Sequence, residues 1–422
     1  MREEFLYYVW QYQKFSSNKL LTVSGEVVKV LSVGEHNTNS GPDFYNAKLQ
    51  IGDQVWVGAV EMHIKSSDWY VHQHHNDKAY KNVILHVVWE DDVVVFDASN
   101  NNMATLEVQP VVNQDVYNAY DRLLQSKTWI NCESQIHLID DFTLKFWKEK
   151  LLIKRLEDKG KKLKTQLETL GNDWEALLFY QLAKGFGLKL NSDQFLQIAR
   201  SITFKVVKKE LPTLENIEAL LYGQANLLNE KCEDPYFVQL QKQFNYLRKK
   251  YQLKNSVVQL RFFRMRPSGF PTVRLAQLAM LYYQYGNLFM KVIELQTLKE
   301  LRDLLSVCAS SYWDTHYTFG KASSKRSKKL SKAFIDVLLV NVIIPIKFMF
   351  AKSQGKDNFE YLLSLYAEIP SENNSIINKF KTLKFDVSTS ADSQALIELK
   401  TQFCDLHKCL QCEIGNKLLY PL

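Results

Sequence analysis

No uninterrupted apolar run in the 422 residues reaches the ~20 needed to span a bilayer. The first residues, Met1-Arg2-Glu3-Glu4, lack the basic leader, apolar core and small-residue cleavage site of a secretory signal. A cytoplasmic protein without membrane association is therefore expected. Six cysteines are too few for a disulfide scaffold at this length. No fixed period supports a repeat protein. The charge excess is small: Lys+Arg 53 against Asp+Glu 46 gives +7, which permits an acidic partner such as DNA or RNA without demanding one. With 46% hydrophobic and 23% charged residues, the chain is not of disordered composition.

Against these absences stand aromatics at 13% and a crowding of histidine: six of the nine lie between His36 and His86. The chain has the length of roughly two to four domains. Its first part reads as a mixed sheet with helix. Residues 3–13 suit a helix, 22–33 a strand, and 44–51 and 55–64 a hairpin turning at Gly52-Asp53-Gln54. Residues 69–80 suit a short helix or ordered loop, a helix over 72–81 completing an αβββαβ order, and 83–89 form the apolar run of a buried strand. Beyond about Val112 apolar residues recur at helical spacing, for example over 141–168, 235–252 and 272–300. The expected fold is α+β. Residues 1–110 form an αβββαβ mixed sheet, 111–400 one or more mainly helical domains, and 401–422 a cysteine-containing end.

Asp43 follows the turn signal Ser40-Gly41-Pro42 and directly precedes a strand. Glu61 and His63 are two apart on the next strand, so period-two geometry puts them on one face, with Lys65 following. Met62 and Ile64 then face a core. The hairpin can bring Asp43 near Glu61. Two carboxylates suit Mg²⁺ or Mn²⁺, whereas more imidazole ligands favour Zn²⁺ or Fe²⁺. His63, Glu61 and His72 or His74 form such a competing set. Each also has a plainer reading: Asp43 as a turn cap, Glu61 and His63 as a solvated face, His86 as a core histidine, and 72–75 as a polar turn.

The order helix, strand, hairpin, helix, strand resembles the core of the PD-(D/E)xK nuclease superfamily. Pro42-Asp43 stands at the place of its first acid and Glu61-Met62-His63 at its acid-x-lysine, with His in place of Lys. The resemblance implies divalent-metal-dependent phosphodiester hydrolysis of DNA or RNA. Asp43 and Glu61 would hold Mg²⁺ or Mn²⁺, His63 would orient water, and Glu4 (or Glu3) would assist. It equally allows an inactive nuclease-like nucleic-acid-binding or scaffold protein. A Zn- or Fe-dependent hydrolase of another substrate is the third reading.

A closer resemblance, nearly chain-long, is carried by Asn39-Ser-Gly-Pro-Asp-Phe44, Val60-Glu-Met-His63, Ser67-Asp-Trp69, His72-x-His74 and Val83-Ile-Leu-His-Val-Val88. Arg266-Pro267, Phe270-Pro271, Arg274 and Cys409-x-x-Cys412 extend it. These strings look like an uncharacterised bacterial family, the domain of unknown function 2851.

Cys404, His407, Cys409 and Cys412 fall within nine residues and offer a candidate Zn or Fe–S site. Cys232 could replace one of the four, and free cysteines are the plain alternative. Lys65, Arg266 and Arg274 are candidate nucleic-acid contacts. Arg266 and Arg274 flank a Pro-Ser-Gly-Phe-Pro turn that can present guanidinium groups to phosphate.

Overall fold

The computed structural model describes all residues except Met1, Ser17, Asn18, Thr38, Ala98, Asn255, Val257 and 420–422. The protein is α+β. The chain divides into two units: Met1–Trp147 with Ile397–Leu422, and Lys148–Leu396. The last segment thus returns to the first unit. Leu410 and Leu419 lie in the same apolar core as the N-terminal sheet.

The first unit opens with α1 (Glu3–Gln11), followed by β1 (Leu20–Leu21), β2 (Val27–Ser32), β3 (Glu35–His36), β4 (Phe44–Ile51) and β5 (Gln54–Lys65). A four-residue helix α2 (Asp68–Val71) and two 3-10 turns lead to β6 (Val83–Glu90), then β7 (Thr105–Glu107) and α3 (Gln114–Gln125). The sheet order is β1-β2-β4-β5-β6-β7, with β3 beside β4. Strands β2, β4 and β5 are antiparallel, and β6 runs parallel to β5. The crossover from β5 to β6 is therefore short turns where the sequence suggests a helix over 72–81.

The elements follow from local chemistry. Phe5, Leu6, Val9 and Trp10 make one buried stripe along α1. That stripe packs on the sheet face carrying Val60, Met62, Leu85, Val87 and Leu106. The Trp10 indole donates to the Val33 carbonyl at 3.0 Å. Gly52, at φ +60°, supplies the left-handed residue of the two-residue loop joining β4 to β5. Three register shifts interrupt the ladders; one lies on β2 between Val30 and Ser32, and two lie nearer the site. One lies on β4 between Phe44 and Ala47, where Asn46 takes φ 57°; the other lies where Ala59 and Val60 of β5 meet Val83 and Leu85 of β6. Such bulges re-aim side chains, and these two flank Glu61.

The second unit is helical. Its long apolar stretch Lys332–Ser353 has the length and composition of a membrane span, yet 72% of its apolar window is buried inside the protein, as in a core helix. The region 272–300 is three helices, Pro271–Gln284, Leu288–Glu294 and Leu298–Leu304. The break falls at Tyr285-Gly286-Asn287, and a capping box between Thr297 and Glu300 starts the third.

Phe5 is fully buried and stacks on Tyr120 of α3 at 4.9 Å. Phe5→Ala is expected to lower the unfolding free energy by about 3–5 kcal/mol, measured by urea denaturation of the full chain.

Candidate metal centre

Asp43 is delivered by a pinned loop. The Asn37 side-chain amide donates to the Asn39 and Pro42 carbonyls at 3.1 and 3.0 Å. Gly41 sits at φ +100°, which side chains rarely adopt. At the loop's end Asp43 and Glu61 clamp each other's strands. The Asp43 N–H donates to Glu61 Oε2 at 3.1 Å, and the Met62 N–H donates to Asp43 Oδ2 at 2.9 Å. Asp43 is thus tied to β5 rather than capping its own turn. The clamp leaves Glu61 Oε1 directed at the histidines.

Glu61 and His63 share a face, as the period-two reading requires, but that face is not solvated. Glu61 is 5% and His63 1% exposed. His63 Nε2 lies 3.6 Å from Glu61 Oε1 and 3.1 Å from His72 Nδ1. His74 Nε2 lies 3.2 Å from the same Glu61 oxygen. One ligand atom from each of His63, His72 and His74 falls within 4.8 Å of the others. His72 and His74 converge because Gln73 between them is left-handed, at φ 61°. His74 is further held by stacking on Tyr80 at 3.7 Å, and His72 is exposed.

Behind this set stands His86, fully buried on β6 directly opposite Glu61. Its Nε2 is 2.8 Å from His63 Nδ1. When His63 Nδ1–H donates to His86, the His63 Nε2 lone pair points into the cluster. Such a partner fixes tautomer and ring orientation in metal sites.

The electrostatics share one cause. Burial, with the facing carboxyl, pushes Asp43 above the usual carboxylate range, and burial does the same to Glu61. Burial and neighbouring imidazoles push His63 far down, and His86 to about 3. Charge of either sign is disfavoured there. No lysine or arginine pairs with either carboxyl among the described residues. A divalent cation would reverse the balance, since it favours ionised carboxylates and neutral imidazoles alike.

Tetrahedral zinc with bonds of about 2.0–2.1 Å has ligand–ligand edges of about 3.3–3.4 Å. Three of the six separations among Glu61, His63, His72 and His74, at 3.1, 3.2 and 3.6 Å, bracket that edge, and the three imidazole atoms lie within 4.8 Å of one another.

Other sequence candidates lie differently. Glu3, not Glu4, is the acid of α1 turned to the site: Tyr7 donates to Glu3 at 3.3 Å, and Glu3 raises both Asp43 and Glu61. Glu4 instead acts on Tyr120. Lys65 does not reach back; it pairs with Glu90 and Asp92 at 3.7 and 3.8 Å. In the second unit Arg266 is exposed. Arg274 is turned inward: it lies 3.7 Å over the Phe334 ring and donates to Gln277, and burial pushes it down to about 10. Near the C-terminus Cys404, Cys409 and Cys412 share a small cavity with Cys132. His407 is exposed, 3.2 Å from the Asn131 amide. Cys232 belongs to the second unit, beside Gly320.

Comparison with known proteins gives one match. The family model described as a protein of unknown function (DUF2851) matches residues 3–375, and the chain belongs to that family. No curated protein and no solved structure matches the chain.

Metal affinity is expected to rise with pH through the neutral range, because protons held by the raised carboxyls must leave when the ion binds. Calorimetry with Zn²⁺ in buffers of different ionisation enthalpy reads that proton release. His86→Ala is expected to weaken binding about 10–100-fold, whereas Lys65→Ala should leave it unchanged.

Proposed function

We propose that this member of the family is a metal-dependent hydrolase whose centre is Glu61, His63, His72 and His74, with phosphodiesters as substrate. The observation that carries the reading is the convergence of three imidazole nitrogens within 4.8 Å of one another, with one Glu61 oxygen 3.6 and 3.2 Å from two of them and, among the described residues, no lysine or arginine paired with that carboxyl; one of the imidazoles, His72, is open to solvent. The imidazole-rich set favours Zn²⁺, Mn²⁺ or Fe²⁺ over Mg²⁺. A bound divalent ion would polarise a phosphoryl oxygen and acidify a water.

The chain's own residues divide the remaining work. His63 stays neutral, fixed by His86, and donates a lone pair rather than acting as a base. Glu61 joins His74 to His63 through one oxygen and holds the Asp43 backbone through the other. Asp43 is the carboxyl outside the imidazole cluster. With its proton affinity raised and the Met62 N–H as its partner, it is placed to accept a proton from water. Tyr80 covers His74 and limits solvent on that side.

Phosphodiester chemistry is favoured by strand order. An antiparallel β2-β4-β5 meander with β6 parallel to β5 puts an acid at the start of β4 and acid-x-His on β5. The sequence resembles PD-(D/E)xK nucleases through these acids in the order helix, strand, hairpin, helix, strand; here the four-residue α2 and two 3-10 turns stand at the second helix. The three imidazoles favour a second reading, a Zn- or Fe-dependent hydrolase of another substrate.

The full chain, loaded separately with Zn²⁺, Mn²⁺ and Fe²⁺, is to be assayed on bis(p-nitrophenyl) phosphate and on single- and double-stranded DNA and RNA. Cleavage is expected. Asp43→Asn should lower turnover by about 100-fold or more with metal retained, and His74→Ala should lose both metal and turnover. Stoichiometric metal with no cleavage of any phosphodiester contradicts the substrate class. That outcome leaves the second reading or an inactive nucleic-acid-binding domain, which salt-dependent oligonucleotide binding separates.

A further inference from the structure

Four of the six cysteines meet at one place in the first unit. Cys132 comes from the turn after Ile130, Cys404 ends the π-helical turn Leu399–Cys404, Cys409 opens the 3-10 turn Cys409–Gln411, and Cys412 precedes the helix Glu413–Leu419. Segments far apart in sequence thus bring their thiols around one small cavity. All four are free, and each lies within electrostatic reach of the other three. We propose that Cys132, Cys404, Cys409 and Cys412 hold an iron–sulfur cluster.

The backbone around the thiols is arranged for sulfur ligands. A side chain on Gly415 would place its Cβ 2.0 Å from the Cys409 carbonyl oxygen, so glycine lets the final helix start against that turn. The Asn416 N–H donates to the Cys412 carbonyl at 2.8 Å and sets the first turn of that helix. The Asn131 side-chain amide donates to Cys409 Sγ at 3.6 Å. A thiol is a weak acceptor, and an N–H donor aimed at a sulfur suits a thiolate bound to metal. Lys408 lines the same cavity and offsets negative charge. Leu123 and Phe403 line it as well and exclude water.

Spacing separates a cluster from a single zinc ion. Zinc with Zn–S bonds of about 2.3 Å needs sulfurs about 3.8 Å apart. Among the described residues, the only three ligand groups within 4.8 Å of one another are His63, His72 and His74. No three of the four thiols close into such a group. A cluster distributes its four thiolates over more than one iron and takes a wider spacing.

The site ties the returning tail to the N-terminal unit. Leu410 and Leu419 already bury there, between and beyond the cysteines. Cluster binding adds directly to folding, as metal sites made from distant segments do.

The test is anaerobic purification of the full chain, with iron, zinc and acid-labile sulfide measured and the visible spectrum recorded. Iron and sulfide in comparable amounts, with broad visible absorption, are expected. Cys132→Ser and Cys409→Ser should each lose them, while Cys232→Ser and Cys308→Ser keep them. His74→Ala should also keep them, which separates this site from the hydrolase centre. Should the serine variants fail to fold by circular dichroism, reconstitution of the wild-type chain with iron and sulfide decides. Zinc without sulfide, no cluster after reconstitution, or full iron in a folded Cys132→Ser protein overturns the proposal.

Discussion

Glu61, His63, His74 and His86 are buried on one face of a sheet with Asp43 half-buried beside them, and among the described residues no lysine or arginine pairs with either carboxyl. That desolvation is the constraint from which the rest of the site follows. It forces protons onto Asp43 and Glu61 and keeps them off His63 and His86. A cluster in that condition is poorly suited to stability, because buried polar groups cost free energy unless well partnered. The His86 Nδ1 and the Trp69 indole nitrogen are buried without a hydrogen-bond partner. The same arrangement is well suited to a cation, which uses every donor at once.

The fold supplies the arrangement through strand registers rather than through a loop. The parallel pairing sets Glu61 opposite His86, and the Asp43–Glu61 clamp locks β4 to β5 at the point where the β4 bulge begins. The short crossover then folds His72 and His74 back over the strand ends. On the opposite face, α1 and the returning C-terminal segment share the apolar core that holds the sheet rigid.

Much of this was legible in the sequence. The i, i+2 spacing of Glu61 and His63 gave their common face, and the hairpin brought Asp43 to Glu61. What stayed hidden depended on tertiary geometry. Whether Glu3 or Glu4 faces the sheet is a matter of about 100° of helix rotation. The convergence of His72 and His74 rests on a left-handed Gln73, a residue with no special preference for that conformation. Burial of the Glu61 face could not be read from polar residues that look solvated. Cys132 had no local partner in sequence to mark it, and His407, which had two, is exposed and meets the Asn131 amide instead of lining the cavity. The basic segment around Lys328 reads as surface, yet that lysine is buried, donating to the Asp314 and Arg326 carbonyls.

The proposed chemistry requires a single transition-metal ion among Glu61, His63, His72 and His74. X-ray absorption at the edge of the bound metal, on Cys409→Ser protein so that sulfur ligation at the C-terminal site is removed, reads its ligands. A shell of nitrogen and oxygen donors with the outer-shell scattering of several imidazoles is expected, lost when His74 is replaced by alanine. A spectrum without imidazole scattering, or one unchanged in the His74→Ala protein, would contradict it.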